Sequence, residues 1–382
     1  MNRSVKYRSA LQYKVLVLKL LSKVLVVSVL SGLPLLGIVL AGQKADLYGE
    51  FPPLTRYVQH AEFSGPIFIG MAVLILMVTG PFIYHWLQAL SKDKRNNSRT
   101  GKYSSFPWWG WLGLVVGAIF LVLAWNRFSW FSEFQIYTFI PLWFAYILIV
   151  NAWCYKRTSQ CLMLDRPYYF LGLFILSSVF WWFFEYLNRF VENWYYLNIG
   201  TLDSLEYLIF ASISFATVLP ALLSTYQLLG SCSFLHMGMN KFLKLRFIED
   251  KRAAVILLLL FGAGLLGIGV YPDYLYPLLW LSPLVLVVCV QILLGEKTVF
   301  SSVKYGDWTR IWLLGLAALT CGLFWEMWNF YSLAKWEYSI PFVHKFKIFE
   351  MPLLGYAGYL PFGLECWVVA DFFLRPIRTS NQ

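Results

Sequence analysis

The sequence predicts an all-α fold, a polytopic membrane bundle of about ten transmembrane helices with a parallel internal four-helix repeat. Four observations carry this expectation. Of 382 residues, 59% are apolar and only 13% are charged, against about 25% charged in an ordinary soluble chain. The apolar residues fall into runs of about 18–25, the length that crosses roughly 30 Å of hydrocarbon. The ten-residue alternating segments of a membrane β-barrel are absent. Finally, an acidic, aromatic segment occurs twice, near the ends of two of the runs.

The runs follow in order. A basic start (Arg3, Lys6, Arg8, Lys14, Lys19, Lys23) precedes an apolar stretch from Val24 to Ala41. Its length, its Pro34 and the spans that follow read as an uncleaved anchor and not as a signal peptide. Residues 42–64, with Gly49, Pro52 and Pro53, read as a loop, and 65–90 as the second span. A basic polar linker, SKDKRNNSRTGK, comes next. The further spans are 108–125, 136–154, 168–187, 207–230, 253–271, 276–294, 311–328 and 352–374. The organisation is therefore a two-span segment with a basic loop (1–107) and two four-span repeats (108–252 and 253–382).

Charge placement gives the orientation. Lys and Arg divide 24 to 7 between the two sides of this topology, so the positive-inside rule puts both termini in the cytoplasm, as in a bacterial inner membrane. The net charge of +11 is then a topology signal and not a nucleic-acid footprint. Membrane lipids are the expected partners, with some attraction to anionic head groups. The six cysteines show no CxxC spacing and read as free thiols. Of the four histidines only His85 lies well inside a span, which leaves no pair of haem ligands. No cofactor or metal is expected. Nucleotide-binding, zinc-hydrolase and serine-hydrolase motifs are absent.

The duplicated segment carries the candidate chemistry. Phe183–Tyr196 reads FFEYLNRFVENWYY and Phe324–Tyr338 reads FWEMWNFYSLAKWEY. Both hold Glu, then Asn three residues on, then Trp-x-Tyr. Glu185 and Glu326 are 141 residues apart, as are Leu219-Pro220 and Leu360-Pro361, while Asn151 and Gln291 are 140 apart. Four spans separate the copies, so both point the same way, as in repeats related by an axis along the membrane normal. Glu185, Asn188, Arg189 and Glu192 have the spacing of one helix face. Each Glu stands near a helix C-terminus, where the helix dipole disfavours a carboxylate. Arg189 follows Glu185 by four residues, whereas Phe330 holds that place after Glu326. This asymmetry suggests Glu326 as a protonated acid and Glu185 as an ionised base or cation stabiliser. Asn188 and Asn329 would orient them, and Arg189, Trp194, Tyr196, Trp336 and Tyr338 would bind substrate in a cleft between the two span ends.

Glu365 lies 13 residues into the last span, about 20 Å deep, where an ionisable group faces a cavity or a partner, and it joins the catalytic candidates as a proton-relay or substrate-facing group. Its counterpart is Ser224. Glu350 and Asp371 read as interfacial. Lys335, His344, Lys345 and Lys347 share the one external loop with three basic residues. His236 lies in a loop, SCSFLHMGMNKF, that reads as an interfacial helix.

The pattern Glu326…Trp336-Glu337-Tyr338…Phe349-Glu350-Met351-Pro352…Glu365 resembles intramembrane carotenoid-modifying proteins, the helical-bundle lycopene cyclases and carotenoid hydratases. In the cyclases paired carboxylates follow the proline. Here Glu350 precedes Pro352, and Leu353-Leu354-Gly355 follow it. The resemblance implies acid-initiated chemistry on a polyene without redox change. Aromatic residues make up 19% of the chain; such walls suit a long apolar substrate and stabilise cations through their π faces. The expected activity is thus acid/base chemistry on an isoprenoid-like substrate of the lipid phase. A proton-coupled transporter or lipid flippase is the first alternative, favoured by Glu365, Pro220 and Pro361. A non-catalytic membrane anchor subunit is the second.

Overall fold

The computed structural model describes residues 2–51, 56–92, 104–200 and 202–375, with backbone alone for 2–16, 18 and 19. Pro52, Pro53, most of the basic linker (93–103) and the chain beyond 375 lie outside the described residues.

The architecture is helical. The first half of the chain contributes α1 (Asn2–Leu40), α2 (Gly65–Lys92), α3 (Trp108–Trp125), α4 (Phe139–Thr158), a single turn α5 (Leu162–Asp165) and α6 (Pro167–Val191). A short strand β1 (Trp194–Leu197) follows, then α7 (Ser204–Phe215) and α8 (Val218–Gly230). The second half runs through α9 (Lys251–Gly267), the turn α10 (Pro272–Leu275), α11 (Leu278–Leu293) and α12 (Thr309–Tyr331). The strands β2 (Lys335–Tyr338), β3 (Lys347–Ile348) and β4 (Met351–Pro352) come next, and α13 (Tyr359–Leu374) closes the chain.

Among the described residues, eight helical segments have the length and apolarity of membrane spans, with α7 and α8 counted together. The segments expected as spans at 253–271 and 276–294 are the helices α9 and α11, of 17 and 16 residues. They pack against each other as a hairpin, and α1 lies along α9.

The expected span 207–230 is broken between Phe215 and Val218. Pro220 lacks an N–H, so the carbonyl four residues before it loses its helical donor. The Ser177 hydroxyl of α6 enters the gap: it donates to Phe215 O at 2.6 Å and accepts from Leu219 N at 3.0 Å. One inserted hydroxyl thereby replaces the helical bond between those two residues, which satisfies backbone groups that no water reaches.

The core is built by α4, α6, α8, α11, α12 and α13 around Trp143, Phe184, Leu219, Leu222 and Phe362, all fully buried. Helices approach closely where side chains vanish. A Cβ at Gly363 of α13 would stand 2.3 Å from the Leu314 carbonyl of α12. By contrast, no residue of α2 is fully buried. It is fastened at its ends. Phe68 meets Phe346 at one end, while at the other Phe82 packs on Trp308 and Trp312, and Trp86 Nε1 donates to Phe234 O at 2.8 Å. The loop around His236, expected as an interfacial helix, is two short 3-10 turns, Ser233–His236 and Met239–Lys241. Gly238 between them has φ +79 and lies against Ala89 and His85 of α2, which a continuous helix would not allow.

The strands were not expected. β1 leaves the end of α6 and β2 leaves the end of α12, and they pair antiparallel: Trp194 with Tyr338, Tyr195 with Glu337, Tyr196 with Trp336. The strand pair occupies the ground between the ends of α6 and α12.

Candidate functional site

Each duplicated Glu stands on the last full turns of its helix, and the strand that follows folds back over it. Asn188 and Asn329 set that fold-back. Asn188 Nδ2 donates to Trp194 O at 2.8 Å, and its Oδ1 accepts from Asn193 N at 2.9 Å and Trp194 N at 3.4 Å. Asn329 Nδ2 donates to Trp336 O at 2.7 Å, and its Oδ1 accepts from Trp336 N at 2.8 Å. The asparagines thus hold backbone and not the carboxyls, which corrects the expected orienting role. An amide is suited to this task because it offers donor and acceptor side by side.

The carboxyls are held by phenols and indoles. Glu185 Oε1 accepts from Tyr196 OH at 2.6 Å, Trp181 Nε1 at 2.9 Å and Trp194 Nε1 at 3.1 Å. Glu326 Oε1 accepts from Tyr338 OH at 2.6 Å and Tyr359 OH at 3.0 Å, and Trp336 Nε1 donates in turn to the Tyr338 hydroxyl at 2.8 Å. Both residues are buried, at 2% and 0% exposure. In both, Oε2 has no partner among the described residues.

The two cages are built alike, apart from the tryptophan of the strand, which donates to the carboxyl in one and to the tyrosine hydroxyl in the other, and from one exchange of donors. Trp181 stands four residues before Glu185 and supplies a donor; the matching place before Glu326 is Gly322. A Cβ on Gly322 would come within 2.5 Å of the Tyr359 ring. Tyr359 arrives from α13 into that space, and its own counterpart in the first half is Val218. One cage takes its extra donor from its own helix and the other from a neighbour. Trp181 was readable from its i−4 spacing. Tyr359, 33 residues from Glu326, carried no local signal.

The expected pairing of Glu185 with Arg189 is not formed. Arg189 Nη1 reaches Tyr48 O at 2.5 Å instead. The one-face arrangement also stops short, because α6 ends at Val191 and Glu192 takes a left-handed capping conformation, φ 47. Trp194, Tyr196, Trp336 and Tyr338 do come together, yet as paired strands turned onto the carboxyls and not as the walls of an open cleft.

Away from the cages, an ionic cluster ties the strands. Lys335 Nζ lies 2.7 Å from Glu350 and 3.1 Å from Glu337, Lys347 lies 3.9 Å from Glu350, and Tyr195 OH donates to Glu337 at 2.8 Å. Burial opposes ionisation of Glu337, but the Tyr195 hydroxyl and the Lys335 ammonium outweigh it and hold the carboxyl below its usual range. Lys345 lies 4.7 Å from the Phe63 ring centre, and His344 packs edge-on to the same ring. Asp371 pairs with Arg375. Sequence reading also passed over His60, whose Nδ1 lies 2.6 Å from Asp273 Oδ1 and whose Nε2 lies 3.2 Å from Glu192 O. It fastens the loop before α2 beside a cleft of about 360 Å³ lined by Val58–His60, the end of α6 and the start of α10. That cleft does not include Glu185 or Glu326. Glu365 lies on α13 at 1% exposure, and both its carboxyl oxygens lack partners among the described residues. Among those residues no group of three His, Cys, Asp or Glu is arranged to hold a metal ion.

Comparison with protein-family models, with curated proteins and with solved structures found no match.

Proposed function

We propose that the protein is an integral membrane enzyme that performs acid/base chemistry on an apolar, isoprenoid-like molecule of the lipid phase. The observation that carries this reading is the half-satisfied carboxyl of Glu326. One oxygen is fixed by two phenols, while the other is buried and has no donor among the described residues. A carboxyl so placed offers a positioned proton to a substrate that water does not reach. Glu326 gives a proton to a substrate double bond, and the resulting carbocation is stabilised by the π faces of Trp325 and Tyr359, which stack 6.0 Å apart. Loss of a proton from the cation to the carboxylate restores Glu326, and no redox change is involved. Gly358, the residue before Tyr359, faces open space: an added Cβ there would meet no atom within 4 Å. Glu185, in the matching cage, is the second acid/base candidate.

We read the molecule as ten crossings, the eight long segments together with α9 and α11. Its termini lie on the cytoplasmic face of a bacterial inner membrane. The two four-span halves descend from one duplication. Support for that descent comes from the strand pairing. Tyr195 faces Glu337, its own counterpart at an offset of 142, and the pairs around it are exchanged symmetrically.

The test uses the protein in lipid vesicles supplied with candidate isoprenoids and deuterated water. Glu326→Gln is expected to lower deuterium incorporation into the substrate by about 10²–10⁴-fold, with the helical content unchanged. Equal incorporation by wild type, Glu326→Gln and Glu185→Gln would overturn the assignment.

A further inference from the structure

Two buried polar side chains on adjacent helices take no part in the cages. Glu365 on α13 and Gln291 on α11 are each 1% exposed, and α11 packs along α13. Glu365 Oε1, Glu365 Oε2 and Gln291 Oε1 all lack donors among the described residues. The same two places in the first half are Ser224 and Asn151, on the packed helices α8 and α4. There the polar groups satisfy one another: Asn151 Nδ2 donates to Ser224 Oγ at 2.9 Å, and Asn151 Oδ1 accepts from Met163 N at 3.2 Å. In the second half, where Glu stands in place of Ser, these three acceptor oxygens find no donor among the described residues.

One proton supplies what is missing. A carboxyl that carries it becomes a donor, and an amide oxygen is its natural acceptor. An unpaired carboxylate in the membrane interior is far more costly than the neutral acid. The titratable groups on the elements packed against α13 are Cys321 and Glu326 on α12, Cys289 on α11, the partly buried Tyr226 on α8, Glu185 with the partly buried Tyr169 and Tyr186 on α6, and Tyr356 on the 3-10 turn Leu353–Gly358; α13 itself adds Cys366 beside Glu365, and none of these is a cation. The cations at α13 are held at other places along it, Arg310 of α12 over the Trp367 ring and Lys23 of α1 on Phe373 O at 3.2 Å, while Arg189 of α6 is held on Tyr48 O. We propose that Glu365 and Gln291 form an exchangeable proton-binding site in the interior of the bundle, separate from the Glu185 and Glu326 cages.

The site is read by infrared difference spectra, wild type minus Glu365→Gln, of the full chain in lipid vesicles across a pH series. The expected result is a protonated-carboxyl stretching band that fades as pH rises, with about tenfold less of the acid form for each unit above its midpoint. Gln291→Leu is expected to move this band to higher frequency, while Asn151→Ala leaves it in place. Glu365→Gln keeps the shape of the side chain, so its fold serves as the reference. A difference spectrum without the band at every pH would overturn the proposal. So would a band that stays constant throughout, which marks a locked structural acid, or one bleached by sodium at fixed pH, which assigns the site to a metal cation. These outcomes leave the deuterium-incorporation assay of Glu326 unaffected, so the two readings stand or fall separately.

Discussion

Tyr338 and Tyr359 hold the same oxygen of Glu326, but they do so with different backing. The Tyr338 hydroxyl is itself oriented by Trp336 Nε1, at 2.8 Å. Such a chain polarises its members and strengthens the bond to the carboxyl. Tyr338→Phe is therefore expected to cost more stability than Tyr359→Phe, within the range of about 1–3 kcal/mol for removing a buried bond to an ionisable group. Unfolding in detergent at fixed temperature measures both. Asn329→Ala is expected to exceed either, because it strips partners from the Trp336 N–H and carbonyl together. How much of this was legible in the sequence follows residue by residue. E-x-x-N marked carboxyls and amides that the structure places in matching surroundings, since both lie within one turn of helix. It misassigned the amides, because the chain's reversal at Asn193 and Lys335 leaves no periodic trace. Arg189 was placed by spacing on Glu185, yet the Tyr48 carbonyl, 141 residues away in sequence, captured it.

At the scale of elements, β1 and β2 act as a clasp between the ends of α6 and α12. Four-residue strands have little stability alone, so the clasp depends on the asparagine hooks beneath it and on the ionic cluster at its edge. The Glu337 carboxyl is held below its usual value of 4.5, so its contribution is present above that value and is lost as pH falls through the depressed one. Lys335 shows the opposite sign. Burial works against its charge, but Glu350 and Glu337 raise it above 10.5, so its contribution is present below that value and lost as pH climbs past the raised one. The clasp is thus expected to be firmest across the neutral range and to loosen in acid below about pH 4.5. Amide exchange at Tyr195 and Trp336, followed by mass spectrometry, checks this. Lys335→Met is expected to flatten the acid response. The register itself is tested by Tyr195→Cys with Glu337→Cys. Directly opposed strand residues lie about 4.5–5.5 Å apart at Cα, within the reach of a disulfide. The bond should form on mild oxidation, whereas Leu197→Cys with Glu337→Cys should not. None of this clasp was readable beforehand, since W-x-Y is an ordinary interfacial pattern and four residues are too few to show a period of two.

For the whole molecule, composition and run length made the helical membrane class legible, because hydrocarbon thickness imposes itself on every span. The break at Phe215–Val218 was hinted at by Pro220, but its repair by Ser177 depends on packing between distant helices. The exchange between the two cages is likewise a tertiary fact, and it makes the duplication testable. If the halves are interchangeable in space, the extra donor of the first cage should fit the second. Gly322→Trp alone drives an indole into the ring of Tyr359, an overpacking expected to cost about 1–3 kcal/mol or more. Tyr359→Val alone empties the space and removes a hydrogen bond, at about 2–4 kcal/mol. Together they recreate beside Glu326 the arrangement that Trp181 and Val218 make beside Glu185. The double variant should then be more stable than the sum of the singles by at least about 1 kcal/mol, the coupling expected of residues that share one space. A full double-mutant cycle by detergent unfolding measures that term. Simple additivity would mean that the two cages only resemble each other in sequence, and that each was packed around its carboxyl independently.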